Sequence, residues 1–123
     1  MATIIDLDIH LTEFVKAFVI GAKKDRWLEL LTRRGRNAHH DSHKLQQALD
    51  DRFCTRTHET DSSSALTQGV YFDFHDEPVV ISEAEANSRN NHVIGYRDAI
   101  FSVEPGRLAY FFFHEGWTWR CQR

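Results

Sequence analysis

The sequence predicts an α+β domain in which two or three N-terminal helices pack on a curved antiparallel sheet of roughly four to six strands. Three observations predict it. Apolar residues recur at helical spacing through the first half of the chain. The period drops to two in the second half. Glycine and proline turn signals then punctuate the last third. The alternative with the same element order is a cystatin/NTF2-like cone, which encloses an apolar pocket; that likeness is one of element order and length only.

The first helix is carried by Leu11, Phe14, Val15, Phe18 and Val19, which share one helix face. Thr12 is the expected N-cap. Gly21 weakens the centre of this region, so one kinked helix and two separate helices both fit. Asp25 is the expected cap of a segment Arg26–Arg34, with Trp27, Leu28, Leu30 and Leu31 on its apolar side and Gly35 closing it. A further helix is predicted from Ala38 to Leu49, with Asn37 as its cap and Leu45, Ala48 and Leu49 facing inward.

Phe53–His58 reads as a strand, and the polar Thr60–Ser64 as a loop. Val70, Phe72 and Phe74 alternate with Tyr71, Asp73 and His75, which predicts a half-buried strand. Val79-Val80-Ile81 follows the turn at Asp76–Pro78. Ser82 and Glu85 have capping-box spacing and announce a short helix; Ser88–Asn91 is a polar loop.

Glu104-Pro105-Gly106-Arg107 fits a type II turn, because proline presets φ at its second position and glycine supplies positive φ at its third. It joins Ala99–Val103 to Leu108–His114. Glu115-Gly116 is the next expected turn, leading into Trp117–Cys121. Both faces of the strand at Leu108 are apolar, with Leu108, Tyr110 and Phe112 on one side and Ala109, Phe111 and Phe113 on the other. Such a strand is central and needs a cover on each side. The helices can supply one; sheet curling, a partner or a ligand supplies the other.

The chain has 123 residues, the size of one domain, and 27% of them are charged. A chain of this size buries roughly two-thirds of its unfolded surface and needs no disulfide or metal to fold. Cys54 and Cys121 are too few for a disulfide scaffold and read as buried thiols. A bridge between them requires Cα atoms within about 7 Å. The first residues lack the features of a signal peptide. The most apolar stretch, Phe14–Ala22, is broken by Lys16 and is too short to span a bilayer. A cytoplasmic location away from the membrane is therefore expected.

No GxSxG, GxxxxGK[ST] or GxGxxG element is present, and no cofactor is implied. Four constellations remain. Lys23, Lys24, Arg26, Arg33, Arg34 and Arg36 face only Asp25 and Glu29, a local charge of +4 in a chain of −3. Such a stretch is either the solvated side of a helix or a phosphate or RNA surface, of which Lys23, Lys24, Arg33 and Arg34 are the candidate contacts. His39 and His43 stand at helical ligand spacing, but no glutamate follows the first histidine as a zincin would require. Asp73 with His75, and His114 beside Glu115, offer carboxylate–imidazole pairs for acid/base work, provided a pocket surrounds them. Tyr110, Phe112, Trp117 and Trp119 form an aromatic set that is either core or a patch for a partner.

Asp25-Arg26-Trp27-Leu28-Glu29-Leu30-Leu31, Val79-Val80-Ile81-Ser82-Glu83 and Glu104-Pro105-Gly106-Arg107-Leu108-Ala109-Tyr110-Phe111 resemble a group of small uncharacterised bacterial proteins. The likeness covers a minor part of the chain. It implies a bacterial source and no chemistry.

The leading functional expectation is a non-enzymatic interaction module, self-associating or bound to another protein through the aromatic sheet face. The second is an NTF2-like small-ligand or enzymatic pocket lined by Asp73 and His75 or His114. The third is RNA or phosphate binding through the basic stretch.

Overall fold

The computed structural model describes residues 4–33, 42–57, 67–75, 77–89, 98–113 and 118–123. Helices α1 (Ile4–Phe18), α2 (Lys24–Arg33) and α3 (Leu45–Ala48) precede strand β1 (Cys54–Thr57). Strands β2 (Gln68–Phe72) and β3 (Val79–Ser82) lead into helix α4 (Glu83–Arg89). Strands β4 (Ala99–Glu104), β5 (Leu108–Phe112) and β6 (Thr118–Gln122) end the chain. The six strands form one open antiparallel sheet in the order β1-β6-β5-β4-β2-β3. The α+β class expected from the sequence is therefore correct. No described helix is long and apolar enough to cross a membrane.

The first helical region is two helices. Val19 bridges to Leu49, the Ile20 N–H donates to the Ala48 carbonyl at 2.9 Å, and the Asp50 N–H to the Phe18 carbonyl at 2.7 Å. These non-local bonds pull the chain out of α1 before Gly21, which opens a short 3₁₀ turn, Gly21–Lys23. Thr12 is not an N-cap. The helix starts at Ile4, because Leu7 extends the apolar stripe one turn before Leu11. Asp25 lies inside the first turn of α2 rather than before it, where a carboxylate still complements the helix dipole. Within the expected Ala38–Leu49 helix, the described part is a 3₁₀ turn, Ser42–Lys44, running into α3. It stops where Leu49 turns extended to meet Val19. Gly35, Asn37, Ala38 and the Thr60–Ser64 segment lie outside the described residues.

The second half follows its local signals closely. The Arg107 N–H donates to the Glu104 carbonyl at 2.9 Å and Gly106 has φ 71°, which is the expected reversal between β4 and β5. The Ser82 hydroxyl accepts the Glu85 N–H at 3.2 Å and starts α4. The strand expected over 70–75 instead spans Gln68–Phe72. Asp73 Oδ1 accepts the His75 N–H at 3.0 Å and Phe74 adopts φ 70°, so alternation ends there. Glu115 and Gly116 lie outside the described residues.

The sheet separates two apolar layers. On one side, Leu11, Phe14, Phe18, Trp27, Leu31 and Leu45 from the helices meet Phe72, Ile100, Ala109 and Phe111. On the other, Tyr71, Phe101, Tyr110 and Phe112 pack with Ile81 and with Ala86 of α4. The strand β5 is thus central, as its two apolar faces predict. Its second face is covered within the chain, with α4 lying over β2 and β3.

Candidate functional site

The aromatic residues expected to make a binding face do not lie on a surface. Tyr110 is 3% exposed and Phe112 2% exposed, both inside the second apolar layer. Alternation along β5 commits these rings to that layer, and burying each large ring is worth roughly 2–3 kcal/mol, so the chain shields them itself. Trp119 points to the opposite side, half-buried, and its indole N–H donates to Gln46 Oε1 at 3.2 Å. Trp117 lies outside the described residues.

The structure disperses the other candidates. Asp73 is buried and engaged by the His75 backbone; His75 is exposed on the irregular segment after β2, so the pair no longer shares a strand face. His114 and His39 lie outside the described residues. His43 is exposed in the 3₁₀ turn. Among the described residues no three His, Cys, Asp or Glu side chains gather as a metal site. Lys23 is exposed at the end of its 3₁₀ turn, and Lys24 is half-buried at the start of α2. Arg33 ends that helix, and Arg34 lies outside the described residues.

What remains accessible is a sheet edge. Strand order places β1 at one end of the sheet and β3 at the other. The β1 edge presents exposed Thr55 and Arg56, the kind of polar and cationic guard that discourages strand addition. The β3 edge has no such guard. Val79 is 37% and Val80 40% exposed, two adjacent apolar side chains among the few large ones in the described residues that face solvent. On its inner side, β3 pairs with β2 from Gln68↔Ser82 to Tyr71↔Val79. Among the described residues no strand pairs its outer side. An antiparallel or parallel strand laid there completes the backbone hydrogen bonds and covers both valines.

Local interactions hold this edge in place. Pro78, buried just before Val79, enters the strand without needing a ladder hydrogen bond. Ile81 anchors the strand inward, and Ser82 hands it directly to α4. The Glu83 N–H donates to the Thr67 carbonyl at 2.7 Å, which ties the end of β3 to the start of β2.

Two polar pairs also lie in places the sequence did not mark. His10 Nδ1 and Ser102 Oγ meet at 2.8 Å between α1 and β4. Asp50 accepts a fork from Arg52, with Nη2 to Oδ2 at 2.7 Å and Nε to Oδ1 at 3.1 Å. Those bonds hold the Asp50 carboxyl down at about 2. The Asp50 carbonyl also accepts the Phe53 and Cys54 N–H groups, so this residue turns the chain into β1.

No protein-family model, no curated protein and no solved structure matches this chain.

Proposed function

We propose that this protein is a non-enzymatic interaction module that self-associates through the β3 edge. The observation that carries this reading is the adjacent exposure of Val79 and Val80 on an uncharged edge strand. The occupant is a second copy of the chain. Val79–Ser82 carries no charge, so two such strands related by a two-fold axis meet without like-charge repulsion. Their valines then cover one another while the outer backbone groups pair. A reading through the aromatic residues is less well supported, because Tyr110 and Phe112 already have intramolecular neighbours. A cytoplasmic setting fits the two thiols, which stand free.

Light scattering over a range of concentrations tests it. The wild-type chain should approach twice its 14.4 kDa mass as concentration rises. Val80→Lys adds a charge at an exposed position, costs the monomer about 0.5 kcal/mol or less, and should hold the chain at the single-chain mass. A wild-type protein that stays at the single-chain mass at high concentration, or a Val80→Lys variant that still dimerises, rejects this surface.

A further inference from the structure

The geometry points to Cys54 and Cys121 as a covalent modification site: a cross-strand thiol pair that a small peroxide closes into a disulfide, tying edge strand β1 to β6 without backbone rearrangement. The inference is independent of the β3 edge and rests on register.

Cys54 and Cys121 are directly opposite partners in the antiparallel β1–β6 pair. Pairs in such a ladder alternate between hydrogen-bonded and non-hydrogen-bonded, and the second kind brings side chains closer. The Gln122 N–H donates to the Phe53 carbonyl at 3.0 Å, which makes Phe53 and Gln122 a hydrogen-bonded pair. The adjacent pair, Cys54 and Cys121, is then of the non-hydrogen-bonded kind. Two further bonds agree with this phase. The Cys54 N–H turns away from β6 to the Asp50 carbonyl at 2.9 Å. The Arg123 N–H donates to the Arg107 carbonyl at 2.9 Å, so the odd-numbered residues of β6 direct their backbone groups to β5. A non-hydrogen-bonded pair sets its Cα atoms about 4.5 Å apart, inside the range that a disulfide spans.

The side chains are aligned as well. Both belong to the helix-side layer, where the register sets the two side chains beside one another. The Cys54 thiol also donates to the Phe18 carbonyl at 3.8 Å, a weak bond that oxidation gives up. Burial, with Cys54 beside it, pushes the Cys121 thiol well above its ordinary range. The Cys121 thiol is thereby held protonated, and opening of the short edge strand β1 admits the oxidant.

The chemistry balances with hydrogen peroxide. One sulfur, as its thiolate, attacks the peroxide O–O bond, becomes a sulfenic acid and releases hydroxide. The second sulfur displaces the sulfenic oxygen, the S–S bond forms, and that oxygen leaves as water with the remaining proton. Two thiols and one peroxide give one disulfide and two waters. The sulfurs together lose two electrons, and the peroxide gains them.

The full chain, reduced and then exposed to hydrogen peroxide under native conditions, provides the test. Intact mass should fall by two hydrogens, both thiols should vanish together on titration in denaturant, and the chain should stay single on a non-reducing gel. Because the bridge closes a long loop, Tm should rise by roughly 5–15 °C and return on adding dithiothreitol. Cys54→Ala should show no intrachain bridge and no rise in Tm. Where that variant fails to fold, the wild-type measurements decide alone. Persistence of both thiols, a gain of oxygen in place of the lost hydrogens, interchain cross-links, or a lowered Tm on oxidation would each overturn the assignment.

Discussion

His10 Nδ1 on α1 lies 2.8 Å from Ser102 Oγ on β4, a bond between residues 92 positions apart that fastens the first helix to the middle of the sheet. Ser102 is buried on the helix-facing side, opposite Val70 and Ala109 in the two neighbouring strands. A hydroxyl in that position needs a partner, and the imidazole supplies one.

Ser102→Ala should therefore cost about 1–2 kcal/mol, and His10→Ala a similar amount. Urea denaturation of both variants and the double variant gives the coupling between them, expected near 1 kcal/mol. Strict additivity would mean that the two groups do not stabilise one another.

Gly69 and Gly106 should respond differently to alanine. A Cβ on Gly69 would lie 2.6 Å from the Ser102 backbone oxygen and 3.0 Å from the Phe101 ring, so part of the β2–β4 ladder must move. The expected loss is about 2–3 kcal/mol. Gly106 sits at φ 71° with its nearest neighbour, Glu13 Cβ, at an ordinary 3.5 Å. Only backbone strain opposes Gly106→Ala, about 1 kcal/mol. Paired denaturation curves check the order, and a larger loss at Gly106 would contradict the close approach of β2 and β4.

Asp50 makes acid stability sensitive to one ion pair. Its folded value, about 2, lies below the ordinary 3.8, chiefly through hydrogen bonds from Arg52. A depressed carboxyl stabilises the fold above its unfolded value and loses that contribution as pH falls through its folded value. The contribution is thus complete above about 3.8, declines toward 2 and is lost below it. Asp50→Asn should flatten the stability profile over that interval. Because the Arg52 side chain is largely exposed, the effect should shrink as salt rises. Thermal melts across this range at low and high salt measure both trends.

Much of the fold was legible because its signals are local. Glu104–Arg107 contains its own reversal, Ser82 its own helix cap, and Leu108–Phe113 its own demand for cover on two faces. The candidate edge was visible only as a run of apolar residues. Nothing within Val79-Val80-Ile81 tells an edge strand from a central one. That depends on β2 pairing with both β3 and β4.

By itself the sequence determined where the chain turns, which stretches are helical or extended, and that the rings near Tyr110 must be shielded from water. Tertiary structure decided what shields them, which strand is left at the margin, where α1 begins and ends, and that Cys54 faces Cys121. The reason is physical. A turn or a cap is set by torsional preferences and hydrogen bonds over a few residues. Strand order and register are set by which distant segments bury the most apolar surface while pairing their backbones, and no short window of sequence contains that comparison.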